Sequence, residues 1–276
     1  MTMSVNTNLS AINAYNNLNS TSNQMNSTVA ELSSGLQIQT AAQDASGYVI
    51  SQGLNVESLG LGQAIQNGQN GVSVLQIAEG AMNQQVSILQ RMNQLATQAA
   101  NSGAMSSSSY TAVQAEFSQL QSQLDQIASS TSFGTTPLLG GTYSGTFQIG
   151  AYANSSDQIT VTIAGTSTGA MTLSAASVSI GTATAATSAM GAVQAAITYV
   201  SSAEAQVAAV QNQIQAVISN DTISQQNVQS AYSTLVDANM AQAMTAYSSQ
   251  QVLMQAGVAM LGQAQQLPSL ILKLIP

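Results

Sequence analysis

The sequence predicts a mainly α-helical fold, a long antiparallel bundle of coiled-coil type with a small β-hairpin region. Three observations carry that expectation. Between Val193 and Leu235 apolar residues recur every seven positions: Val193, Val200, Val207 and Ile214, then Val228 and Leu235 after a break at Asp221. A second row of Ala196, Ala203, Val210, Val217, Ala231 and Ala238 runs beside it. Two rows three and four residues apart form one stripe on a helix, and a stripe this long asks for partner helices along its whole length. The same spacing appears earlier, in Leu75, Met82, Leu89 and Ala96, and again in Val113, Phe117, Leu120, Leu124 and Ile127. Finally, composition turns to Gly, Thr and Ser at Ser129, with short alternating runs that mark strands.

Taken in order, residues 9–39 read as a helix. Leu18, Met25 and Leu32 lie seven apart, and Tyr15, Val29 and Leu36 extend that face. The opposite face is Asn, Ser and Thr, which are mediocre helix formers, so this helix should stay marginal in water until something docks on it. Gly35 is placed to end or bend it, and Asp44, Ser46 and Gly47 mark a loop. A second helix is expected over 55–100, weakened early by Gly60, Gly62, Gly68 and Gly71 and firm after Val72, with Val86, Met92 and Ala99 flanking its seam. The polar connector Asn101 to Ser109 leads to a helix over 110–128, and so short a link favours an antiparallel pair.

From Ser129 to about Thr182 the expectation is a surface hairpin with a low-complexity loop. Thr146–Ile149 and Ile159–Ile163 alternate as strands, with Asn154–Asp157 as their turn. Residues 164–189 read equally as small-residue loop or weak strand. The heptad helix begins near Met190 and continues less regularly through Met240, Met244, Tyr247, Val252, Leu253, Val258 and Leu261, with Pro268 expected to end it. The apolar tail of Leu270, Ile271, Leu272, Leu274 and Ile275 should be sticky unless another subunit covers it.

Composition narrows the function. Charged residues are 4% of the chain, against about a quarter in ordinary soluble proteins. Arg91 and Lys273 are the only basic side chains, so clustered neutralisation of nucleic-acid phosphates is excluded. With neither His nor Cys there is no serine triad, thiol nucleophile or imidazole zinc site. The ten carboxylates are scattered, and no catalytic residue, cofactor or metal is expected. Residues 1–10 lack the basic and apolar regions of a secretory signal, and no apolar run approaches the ~20 residues that span a bilayer.

The motifs then converge on a family. Val5-Asn6-Thr7-Asn8 with Asn16-Asn17-Leu18-Asn19, Leu32-Ser33-Ser34-Gly35-Leu36-Gln37-Ile38 and Asp44-Ala45-Ser46-Gly47 resemble the opening blocks of bacterial flagellin. Asn70-Gly71-Val72-Ser73, Ala78-Glu79-Gly80-Ala81, the run Leu89 to Ala96 and Gln114-Ala115-Glu116 are similar to its central helices. Phe147-Gln148-Ile149-Gly150-Ala151 resembles the family hairpin. Val210-Gln211-Asn212-Gln213 and Gln255-Ala256-Gly257 through Pro268 match its C-terminal blocks. The likeness covers roughly residues 4–163 and 190–276. It departs mostly in charge: Glu31, Gln37, Ala42, Gln213 and Ser249 stand where the family usually carries Arg or Lys.

The resemblance implies a structural subunit of the flagellar filament, outside the cell, polymerised with copies of itself into a hollow helix for swimming. It implies paired N- and C-terminal helices: an inner domain of residues 1–44 and 236–276, joined to an outer rod of residues 45–235. That rod would hold helices 55–100, 110–128 and 190–235 and a hairpin over about 142–164. With only 26 residues between Ile163 and Met190, the chain resembles a minimal flagellin without a large surface insert. Leu18, Met25, Val29, Leu32, Leu36, Met244, Leu253, Val258 and Leu261 are the expected terminal-helix and intersubunit packing residues. The resemblance also implies export without a cleaved signal. The implied partners are the export apparatus, a chaperone, and cap and junction proteins. By motif match, Arg91, Leu95 and Glu116, with Gln98 nearby, would face Toll-like receptor 5, while Arg91 is equally placed to pair with Glu116 across two helices. The alternatives are a hook–filament junction protein of the same apparatus and a non-motility surface filament or adhesin. Scarce charge further predicts a filament that tolerates acid, since near pH ~2 this subunit keeps only two basic side chains and its α-amino group.

Overall fold

The computed structural model describes residues 7–272. The chain runs α1 (Leu9–Ser34), α2 (Ala45–Ala100), α3 (Ser107–Ser130), β1 (Ser132–Phe133), β2 (Thr136–Pro137), β3 (Ser144–Gln148), a 3-10 turn (Ser155–Asp157), β4 (Gln158–Thr162), α4 (Ala183–Val236) and α5 (Met240–Leu272). The described residues up to Val56 and from Asn227 onward form one compact unit, and Glu57–Gln226 form a second. Among the described residues no helix is long and apolar enough to cross a membrane.

Local chemistry explains where the helices stop and start. α1 ends at Ser34, short of residue 39, because Gly35 takes the left-handed conformation (φ 73°) and gives its amide to the Glu31 carbonyl at 2.8 Å. α2 begins ten residues earlier than expected. The Asp44 carboxylate accepts from the Ser46 amide at 3.0 Å, so the supposed loop signal is a helix start. Ser106 does the same for α3 through the Ser109 amide. Thr182 receives the Ala185 amide on its hydroxyl, which lets α4 start at Ala183. At the other end α5 passes through Pro268 to Leu272, where the proline was expected to end it. A proline removes one amide donor, and here the helical backbone carries on regardless.

In the second unit the seams meet. Val193, Val200, Val207 and Ile214 of α4 are buried in one cluster with Leu75, Met82 and Leu89 of α2 and Phe117 and Leu124 of α3. Side chains of this size stabilise by about 1.5–3 kcal/mol each when fully buried. The glycines of early α2, expected to weaken the helix, instead let neighbours come close. A Cβ at Gly60 would lie 2.9 Å from the Ala151 side chain, and one at Gly68 would lie 2.8 Å from Ile218 of α4.

The β region corrects the expectation of a surface hairpin with a trailing loop. β3 and β4 pair antiparallel with Phe147 opposite Ile159 and Gly145 opposite Val161. Along β4, Ile159 and Val161 are buried while Gln158, Thr160 and Thr162 face water, the period-two pattern of a strand with one covered face. A further two-residue hairpin, β1 with β2, was not foreseen; it turns at Gly134 (φ 61°). Residues 164–182 form neither strand nor surface loop. Thr166, Thr168, Met171, Leu173, Val178 and Ile180 are buried, and side chains from the helices hold their backbone. Gln85 donates to the Thr166 carbonyl at 3.1 Å and Gln121 to that of Leu173 at 2.8 Å. Asp125 accepts from both the amide and the hydroxyl of Thr168, at 2.8 and 2.9 Å, and Gln114 accepts the Ile180 amide.

In the first unit α1 and α5 lie antiparallel. Asn8 donates to the Ala264 carbonyl at 2.6 Å, Leu18 packs beside Gly257, and Leu36 bridges to Asp237. The expected continuous helix through Leu235 is interrupted at residues 237–239. There the Gln37 amide donates to Val236 and the Ala238 amide to Gly35, stitching the end of α1 to the turn between α4 and α5.

Candidate functional site

In the first unit apolar side chains on paired helices have no partner of their own. An antiparallel pair can cover one stripe on each helix and no more. Leu18, Met25, Leu32, Leu36 and Leu261 are half-buried by that pairing. The other expected packing residues are turned outward: Val29 is 45% exposed, Met244 53%, Leu253 56% and Val258 56%. Leu9, Ile12, Tyr15, Val252 and Met260 join them, as do Val49, Ile50 and Val56 on the first turns of α2. Val49 and Ile50 were not foreseen, because they precede the helix expected to begin at residue 55. Val5 and Asn6, and the side chains from Leu267 to the apolar tail, lie outside the described residues. Large exposed apolar patches mark protein–protein contacts, and this unit supplies side chains for one.

The second unit presents a different surface. Arg91 on α2 reaches across to α3, where its Nε and Nη2 donate to one Glu116 oxygen at 2.9 and 2.7 Å. Both side chains are about half exposed (51% and 45%), so water screens the pair and its net worth is small. Gln98 is exposed and lines a shallow groove with Asn93, Gln94, Thr97, Asn101, Ala104 and Met105. Leu95 was expected on the same face, but it is 2% exposed and packs into the core beneath it. The structure thus brings Arg91 and Glu116 together, leaves Gln98 on the surface, and removes Leu95 from it.

One titratable group stands out of place. Asp221 is the residue at which the α4 seam breaks, seven after Ile214 and seven before Val228. It is nevertheless buried, 8% exposed, and its Oδ2 has no hydrogen-bond partner. Burial first, and then the neighbouring Asp157, push its pKa above the ordinary 3.8. The break in spacing was visible in the sequence, but the burial was not.

Two family models match the chain: the bacterial flagellin N-terminal helical region over residues 5–144 and the bacterial flagellin C-terminal helical region over residues 190–275. A flagellin of Halalkalibacterium halodurans is 36% identical over 273 residues, which is 99% of this chain and 100% of that protein. Flagellin D of Vibrio anguillarum is 47% identical over 152 residues, covering 55% of this chain and 40% of its own length. Among solved structures, the crystal structure of Bacillus cereus flagellin superposes with a TM-score of 0.50 at 23% identity, over 56% of this chain and 88% of that one. The last likeness is one of fold.

Proposed function

The chain belongs to the bacterial flagellin family and is a structural subunit of the flagellar filament, and from that premise we propose that it completes its packing only when it docks on copies of itself in a helical homopolymer for swimming. The supporting observation is the outward-facing apolar set on the terminal pair: Val29 of α1 with Met244, Leu253 and Val258 of α5. Each is already about half covered, so burying the remainder contributes about half of the ~1.5–3 kcal/mol of full burial. Ordering the terminal helices then costs conformational entropy that neighbouring copies offset. Contacts between unlike faces propagate as a filament rather than a ring when the rotation from copy to copy does not close.

In this reading residues 1–44 and 236–276 form the filament's inner domain and residues 45–235 its outer rod. The role is mechanical rather than catalytic, in keeping with a chain that has no His and no Cys. On family grounds its partners are the flagellar export apparatus, a chaperone, and cap and junction proteins, and its place is outside the cell. We also propose the face carrying Arg91, Gln98 and Glu116 as the surface for Toll-like receptor 5, with Leu95 supporting it from beneath.

Electron microscopy tests the assembly mechanism. The full chain should form filaments, and a version lacking residues 1–40 and 236–276 should not. Filaments from the shortened chain would overturn it. Val258→Ser and Leu253→Ser should raise the concentration at which filaments form while leaving the helical signal of the second unit unchanged.

A further inference from the structure

We propose that Asp221 is a proton-operated clasp: with its carboxyl neutral, the end of the β3–β4 hairpin and the helices α2 and α4 close around it, and with it ionised that junction loosens. The geometry lies wholly within the second unit. Asp221 occupies the seam position where each neighbouring heptad places a Val or Ile, and it is 8% exposed with an unpartnered Oδ2. One turn further along α4, Gln225 donates to the Ser58 carbonyl of α2 at 3.1 Å and lies against Gly62, so the two helices are held together beside it. On the other side the hairpin end is pinned to α2 by Asn67, which donates to the Gln148 carbonyl at 3.1 Å, and by the close approach of Ala151 to Gly60.

The hairpin end also brings a second acid. The backbone of Asp157 is fixed by the Ile149 amide, which donates to its carbonyl at 2.8 Å, and its side chain lies against Gly150. Its carboxylate acts on Asp221. The acidic group at this end of α2 is Glu57, whose carboxylate acts on the Tyr152 hydroxyl. On α4 itself the only other acid is Glu204, roughly 25 Å away along the helix at about 1.5 Å per residue. No cation answers these charges among the described residues, since Arg91 is engaged with Glu116 far along α2. An ionised Asp221 is therefore a buried charge with a like charge beside it and no partner.

The sign follows from which state binds the proton more tightly. The folded chain holds it better than the unfolded chain, so the contribution to stability is fully present below the ordinary value of 3.8. It is lost as pH rises through the raised value in the folded state. The rod would thus be tightest in acid, where ordinary carboxylate–ammonium pairs fail.

Two measurements on the depolymerised full chain test the clasp. Carbon-detected NMR of the aspartate side chains should show Asp221 titrating above the ordinary range, and Asp157→Asn should lower it. In urea, the wild-type midpoint should fall relative to that of Asp221→Leu between about pH 4 and about pH 7.5. The difference should be about half a molar for each tenfold change in proton affinity. Leucine suits the seam, so this variant should fold, and the NMR titration needs no variant at all. An Asp221 carbon titrating in the ordinary range, or parallel wild-type and variant profiles, would overturn the proposal. So would millimolar calcium restoring the neutral-pH midpoint of the wild type but not of Asp157→Asn, because the site would then belong to a cation.

Discussion

Val193 and Val258 are both valines on an apolar helical stripe, yet the first is fully buried in the second unit and the other is 56% exposed in the first. Their local sequences do not account for the difference. In the second unit the stripe of α4 shares one buried cluster with α2, α3, the β3–β4 hairpin and the inward segment 164–182, enough elements to enclose it. Around Val258 the helix has α1 alongside, and one partner covers one side. Burial is set by how many elements the chain can bring to a stripe, and in the terminal unit it brings too few. The heptad pattern is thus a request for partners, which the second unit answers from within one chain and the terminal helices do not.

The largest expected effects test this contrast directly. In the depolymerised chain Phe117→Ala should cost about 3–5 kcal/mol of unfolding free energy, because a fully buried ring leaves a cavity that helices cannot collapse. Val258→Ala should stay within about 0.5 kcal/mol, as a substitution on open surface. Urea titrations of the two variants measure both. Comparable losses would mean that the terminal pair is a core in its own right, and the contrast would fail.

A smaller pair of effects sharpens it. Gly53 and Gly60 lie on the same helix, α2, one in each unit. At Gly60 even an alanine Cβ would meet Ala151 at 2.9 Å, so Gly60→Ala should destabilise by about 1–3 kcal/mol as overpacking forces the hairpin end away. At Gly53 a Cβ meets nothing within 4 Å, and Gly53→Ala should stabilise by about 0.5–1 kcal/mol through helix propensity alone. Thermal unfolding reads opposite signs if α2 is packed at one position and bare at the other.

These same residues show what the sequence could and could not tell. The seams of α2, α3 and α4 were legible because seven-residue spacing is a property of one helix read alone. The start of α2 was not: Asp44-Ala45-Ser46-Gly47 carries loop-forming residues, and only the capping hydrogen bond reveals a helix beginning there. The early glycines of α2 were visible, but their use depends on Ala151 and Ile218, about 90 and 150 residues away, which no local pattern points to. Residues 164–182 failed for a related reason. Their small side chains show no periodicity, and what draws them inward is polar: Gln85, Gln121 and Asp125 on distant helices, reaching for backbone atoms. Leu95 was assigned to a surface by family likeness, while its place three residues after Met92 on the buried stripe pointed to the core, where it lies. Of the candidate surfaces, the terminal stripe could be foreseen from spacing, but Val49 and Ile50 could not until the segment before residue 55 was known to be helix.

The smallest effect separates charge from packing within the second unit. Arg91 and Glu116 lie over the core that holds Leu95 and Phe117, and their two hydrogen bonds to a single oxygen are short. Half exposure of both side chains nevertheless lets solvent compete for each of them. Arg91→Ala and Glu116→Gln, with the double variant closing the cycle, should give a coupling of about 0–1 kcal/mol. That coupling should fade as salt shortens the screening length from about 10 Å at 0.1 M to about 3 Å at 1 M. A coupling above that range, or one indifferent to salt, would mean that the chain's one arginine anchors the rod as strongly as its seam residues do. Packing would then no longer be the main distinction between the two units.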